Sequence, residues 1–183
     1  AWESDSSLMR AGLGSGAVIE RLFIDRALRA LHFHGRRAVA WDTLTMAYPT
    51  PPPGTILLAH RPGDAGRRAA ESSGAPWVLA DADILTLSHP GRVNNALELG
   101  RTLPDRLTHA LRGERLKGVE AVAWSSTITT PDLLFYHLLP RLLVVAEAAW
   151  HGENSLSWEK LAPLIEHEMA YLRRTVPYWN PQQ

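Results

Sequence analysis

Four short apolar runs constrain this chain more than any other feature: Ala38-Val39-Ala40-Trp41, Thr55-Ile56-Leu57-Leu58-Ala59, Trp77-Val78-Leu79-Ala80 and Val119-Glu120-Ala121-Val122-Ala123-Trp124. They are apolar at successive positions instead of alternating, the pattern of parallel strands covered on both faces. Helical patterns stand between most of them. From Ser15 to about His34, Ile19, Phe23, Ala27, Ala30 and Leu31 form one stripe, with Ser15 placed to cap it and Gly35 to stop it. Asp64 to Ser73 reads as a short helix closed by Gly74, and Leu103 to Leu111 as partly helical with Pro104 near its start. Pro131 opens a helix reaching Trp150, which Pro140 must kink or restart. The last helix, about Trp158 to Thr175, carries Leu161, Leu164, Ile165, Met169 and Leu172 on one face, and Pro163 implies a loose first turn or a late start. Three successive prolines make Tyr48 to Gly54 a loop. Asp81 to Asn95 is polar and irregular, and 177–183 is a polar tail.

This order is α/β. With 183 residues, 45% hydrophobic and 21% charged, the chain is long and apolar enough for one domain over 1–183 with a real core. Four β-α units cannot close a barrel of eight; they make a small open sheet or half of something larger. Nineteen basic and 19 acidic side chains cancel, so neither nucleic acid nor an anionic membrane is expected as a partner. No apolar run approaches the ~18 residues that span a bilayer, and no transmembrane helix is expected. Without cysteine there is no disulfide, thiolate nucleophile or cysteine-based metal site. That absence suits a bacterial cytoplasm and an exported protein equally. Because the first residue is Ala1 instead of Met, a trimmed start is expected.

The general motifs are weak. Gly12-Leu13-Gly14-Ser15-Gly16 precedes a helix, but no apolar strand leads into it and the third glycine is misplaced for a dinucleotide fingerprint; a flexible turn is the better reading. Of eight histidines only His32 and His34 lie close together, on different helical faces. Asp81, Asp83 and His89 share a loop that could hold a metal, yet caps and turn formers explain them more simply. No metal, cofactor or catalytic residue is therefore assigned. Position is more informative. Trp41-Asp42, His60, Asp81 to His89 and Trp124-Ser125-Ser126 each follow a strand-like run, and the carboxyl ends of parallel strands share one rim where function gathers. Two tryptophans there either form a wall for the apolar face of a sugar ring or plug the top of the core.

Trp124-Ser125-Ser126 followed by Pro140-Arg141-Leu142-Leu143-Val144-Val145-Ala146-Glu147-Ala148-Ala149-Trp150 resembles the final strand and helix of glycoside hydrolase family 20, the β-N-acetylhexosaminidases, with their W-S-E and P-R-x-x-A-x-A-E-x-x-W. Gly35-Arg36-Arg37-Ala38-Val39-Ala40-Trp41-Asp42 resembles the family's G-R-x-x-x-x-W-D-E on its fifth strand. Ile84 to His89 is similar to the stretch carrying Y-L-D, and Leu161 to Tyr178 to the closing helix. The resemblance implies a partial TIM-type (β/α)8 barrel, its C-terminal half, with about four parallel strands and flanking helices. It implies an N-acetylhexosamine-containing sugar as ligand, met by Trp41, Asp42, His60, Thr86, Ser88, Trp124 and Ser126.

The family's catalytic pair lies in H-x-G-G-D-E on the fourth strand, a motif that does not occur in this sequence. There the Glu protonates the leaving oxygen, and the Asp orients the substrate's own acetamido group as nucleophile, a recognised exception to the two-carboxylate scheme. By the register of the resemblance, Ala1 falls a few residues beyond that pair. The pocket departs from the family too: His60 stands where tryptophan is usual, Thr86 and Ser88 where Y-L-D has its Tyr and Asp, and Ser126 where W-S-E has its Glu. Two readings follow. The chain is one half of a hydrolase, completed by an N-terminal half or paired as a homodimer. Alternatively, it is a non-catalytic carbohydrate-binding or assembly module. A new activity on His60, Asp42 and Ser126 is allowed by residue type but required by nothing in the spacing.

Overall fold

In the computed structural model, which describes residues 5–88, 96–111 and 115–176, three of the apolar runs become strands at their expected places: β1 (Val39–Trp41), β2 (Ile56–Ala59) and β3 (Trp77–Leu79). The fourth differs. β4 is Leu116–Val119, and of the expected run beyond it only Val122 pairs, through an isolated parallel bridge to Thr86. Trp77 N donates to Arg115 O and Glu120 N to Leu79 O, so the edge of β3 is paired by residues 115–120. Lys117 and Gly118 interrupt the apolar pattern there, which is why hydrophobicity alone places the strand too late. The strands are parallel and lie in chain order, β1-β2-β3-β4.

The described helices are α1 (Ser6–Arg10), α2 (Gly16–Phe33), α3 (Leu44–Ala47), α4 (Ala65–Ser73), α5 (Ala96–Leu111), α6 (Pro131–Leu138), α7 (Arg141–His151) and α8 (Trp158–Thr175). Ser15 accepts from Val18 N to cap α2, and Gly74 closes α4 in the left-handed region at φ 76. Pro140 restarts the helix after Leu139, giving α6 and α7 separately. α5 begins at Ala96 instead of Leu103 and carries Pro104 inside it, while Pro163 does not delay α8. α1 and α3 are too short to show a period. The expected tail 177–183 lies outside the described residues. Among the described residues, no single helix is long and apolar enough to cross a membrane.

Burial divides the sheet. Leu57, Ala59, Trp77 and Leu79 are at most 4% exposed and join one cluster with Leu99 and Leu103 of α5, Val144 and Val145 of α7, and Leu161, Ile165 and Met169 of α8. The other face is not covered in this way, contrary to the expectation from the runs. Val39 is 61% and Trp41 36% exposed, and their row continues through the half-buried Ile56, Leu58 and Val78. Beside β1, α2 buries none of its residues fully, and Phe23 stands largely in solvent. β1 and β4 each pair with one neighbour only, so both edges are open among the described residues.

Close helix packing depends on one glycine. At Gly100 in α5 a Cβ would lie 2.6 Å from Cε3 of Trp158, the first residue of α8. Gly100→Ala should therefore destabilise the chain by about 1 kcal/mol, since roughly 1–3 kcal/mol of overpacking outweighs the gain in helix propensity. Urea denaturation checks this, and a midpoint at or above that of the unsubstituted chain would show that Trp158 gives way freely.

Candidate functional site

The end of β1 delivers Trp41 and Asp42, the end of β2 delivers His60, and Trp124 follows β4, so the parallel order brings all four to one rim. The Trp41 and His60 rings have centroids 4.7 Å apart, and each lies 6.0 Å from the ring of Trp124. The two tryptophans are 36% and 41% exposed, so they present aromatic surface instead of plugging the core. Asp42 is fully buried beneath them. Its Oδ1 accepts from the backbone N–H of His60 (2.8 Å) and of Arg61 (3.1 Å), and its Oδ2 accepts from Arg61 Nε. Both carboxylate oxygens are thus engaged in stitching β1 to the turn after β2. Arg61, which composition gave no reason to single out, neutralises a charge that burial would otherwise make costly.

Gly66 lets α4 approach that turn. A Cβ there would lie 2.9 Å from Arg61 N and 3.0 Å from His60 N, against backbone that cannot swing aside. His60 Nδ1 is 2.8 Å from the carbonyl oxygen of Ala80, at the end of β3, which fixes the ring from a third direction.

The segment after β3 is more ordered than its polar sequence suggests. Ile84, Leu85 and Leu87 are buried. Leu87 N donates to Val122 O and Val122 N to Leu85 O, both at 2.8 Å. Ser88 is buried, and its Oγ accepts from Trp124 N at 2.8 Å, which ties the second tryptophan to this segment. Buried Arg141, at the start of α7, donates to the carbonyls of Leu87 and His137, and desolvation holds its guanidinium below the ordinary arginine pKa. Thr86 is 8% exposed, and its Oγ1 has no partner among the described residues.

The remaining candidates separate. Ser126 lies in an exposed 3₁₀ turn, Ser125–Thr127, and makes no hydrogen bond among the described residues. Asp81 Oδ1 accepts from Asp83 N at 2.8 Å, and Asp83 Oδ2 accepts from Gly63 N at 3.0 Å, so these carboxylates brace neighbouring loops. His89 lies outside the described residues. Among those described, no three metal-binding side chains gather. The structure therefore brings together Trp41, His60 and Trp124 as an aromatic surface, with Asp42 and Ser88 holding it from below.

Residues 2–153 match the family described as "Glycosyl hydrolase family 20, catalytic domain". The chain belongs to glycosyl hydrolase family 20. It is 31% identical over 77 residues to a β-N-acetylhexosaminidase of Cellulomonas fimi, covering 42% of this chain and 16% of that protein. It is 26% identical over 152 residues to a β-hexosaminidase of Porphyromonas gingivalis, covering 76% of this chain and 19% of that protein. This family 20 chain thus spans less than a fifth of those relatives. Its fold is similar to that of Streptomyces plicatus N-acetyl-β-hexosaminidase in complex with Thio-NAglucal, at TM-score 0.76 and 20% identity over 92% of this chain and 37% of the other. A family 20 exo-β-N-acetylglucosaminidase from Vibrio harveyi aligns at TM-score 0.69 and 19% identity, over 97% and 30%. The four parallel strands with flanking helices are thus the fold expected from the resemblance.

Asp42→Asn should lower stability by about 2–3 kcal/mol, because the amide sets a donor against Arg61 Nε while Arg61 loses its counter-charge. Urea denaturation at neutral pH measures it. A loss under about 0.5 kcal/mol would show that the rim does not rely on this carboxylate.

Proposed function

We propose that this family 20 chain provides the sugar-facing, C-terminal arc of a barrel that hydrolyses terminal N-acetylhexosamine residues. The observation that carries the reading is the Trp41–His60–Trp124 surface, set on the carboxyl rim above an apolar sheet face left uncovered. Indole faces suit the apolar C–H face of a pyranose. A half-open apolar face with two open strand edges suits one side of a cylinder. In this reading Trp41 and Trp124 stack on the sugar, His60 and Ser126 meet its polar groups, and Asp42 positions the turn carrying His60. Thr86 and Ser88 line the floor beneath. The proton donor and the carboxylate that orients the acetamido group belong to H-x-G-G-D-E, so they come from polypeptide other than these 183 residues. Completed in this way, the site would work by the substrate-assisted retaining route.

A second reading is favoured by Ser126 and Thr86. A serine and a shielded threonine cannot grip hydroxyls as a carboxylate can, since charge-assisted bonds are about twice as strong as neutral ones. In that reading the arc binds carbohydrate or serves assembly without hydrolysis.

Two measurements separate these readings. A chromogenic N-acetylglucosaminide should be stable to the chain alone. It should be cleaved after mixing with a polypeptide bearing the first four strands and H-x-G-G-D-E. Binding of N-acetylglucosamine by calorimetry without cleavage in the mixture selects the second reading, and neither binding nor cleavage defeats both. Separately, the open edges and bare face should make the chain associate. Light scattering is expected to report a dimer or the complex with the other half, and a stable monomer at micromolar concentration would contradict this.

A further inference from the structure

We infer that His60 is a specificity-determining residue that accepts a hydrogen bond from one hydroxyl of the sugar through Nε2; this rests on the rim being a sugar site. The Ala80 carbonyl can only accept, so the Nδ1 that sits 2.8 Å from it must carry the ring proton. In the neutral imidazole the other nitrogen then holds a lone pair and cannot donate. Nε2 has no hydrogen-bond partner among the described residues. The lone pair therefore lies on the side of the ring away from the Ala80 carbonyl, between Trp41 and Trp124.

The ring is not free to turn and offer its other nitrogen. Asp42 Oδ1 holds the His60 backbone N–H, the Ala80 carbonyl holds Nδ1, and the indoles of Trp41 and Trp124 pack against the ring. The Asp42 carboxylate does not compete for Nε2. Both oxygens of Asp42 are taken by backbone N–H groups and Arg61, and the Arg61 Nε is turned to Asp42. A sugar laid on the indoles thus meets an acceptor with a fixed direction between them. A third indole there would be donor-only, so this position selects for a ligand O–H pointing at it and against the same position carrying hydrogen or an ether. Sites built around such a bond discriminate because the analogue leaves a polar group unpaired.

The test pairs ligand and protein changes in one cycle. Calorimetry of the full chain with N-acetylglucosamine and its single-deoxy analogues should show one analogue binding roughly tenfold more weakly than the rest. In His60→Phe, which keeps a ring and removes the acceptor, that difference should vanish while the other analogues keep their ranking. On the unsubstituted chain, nitrogen NMR should find the His60 proton on Nδ1, with the Nε2 resonance moving when the sugar is added. A proton on Nε2, or a His60→Phe that weakens every analogue equally, overturns the assignment and leaves the sugar site standing. No binding of N-acetylglucosamine by the unsubstituted chain overturns both.

Discussion

Among the described residues the helices bury one face of the parallel sheet and leave the other partly open, and that asymmetry organises this molecule. Leu57, Ala59, Trp77 and Leu79 are buried with residues of α5, α7 and α8, while the facing row from Val39 and Trp41 to Val78 stays partly open. Strand residues alternate between faces, so an apolar run buried on one side carries apolar residues on its more open side as well. In a barrel the inner faces of the strands supply one another. The strands lie parallel and in chain order, an arrangement that a barrel wall shares, and the fold is similar to that of family 20 structures.

Much of this fold is readable from residue order because the determinants are local. Ser15, Gly74 and Pro131 mark helix ends through capping, a left-handed turn and a fixed φ, and each effect acts within a turn of its residue. The misplaced elements are those set by long-range pairing. β4 is defined by what β3 can reach, so Leu116–Val119 pairs despite Lys117 and Gly118, and the more apolar stretch after it contributes one bridge. The start of α5 at Ala96 is signalled in the sequence by Asn95 before it and Glu98 in its first turn, a cue that the polar stretch around them conceals. A fully apolar run shows no preference between the two faces, so it fixes neither the covering of a strand nor the residues with which it pairs.

The rim shows the same division. Its members Trp41, His60 and Trp124 could be picked out because each closes or follows an apolar run, and parallel pairing alone carries those ends to one side. What could not be read was the role of each polar group. Asp42 has the composition of a ligand-binding residue, yet both its oxygens are used within the protein. Its partner Arg61 is one of many arginines in the sequence, and only the turn after β2 distinguishes it. Ser88 is likewise buried and bonded to the backbone of Trp124.

Two arginines therefore hold the aromatic surface from opposite sides. Arg61 fastens the end of β1 to the turn after β2 through the buried carboxylate of Asp42. Arg141 fastens the segment after β3 through the Leu87 carbonyl, and that segment in turn carries Val122 and, through Ser88, Trp124. Guanidinium groups suit this role because several fixed donors can satisfy acceptors on more than one element. Each stitch is charged on one side or both, so losing it would leave a buried group without its partner, not merely remove a contact. The exposed Ser126 carries no such penalty, since it makes no bond within the described residues. Substitution there is cheap for the fold, whereas substitution at Asp42 or Arg141 is not. That asymmetry lets the exposed rim positions vary while the buried stitches beneath them are held.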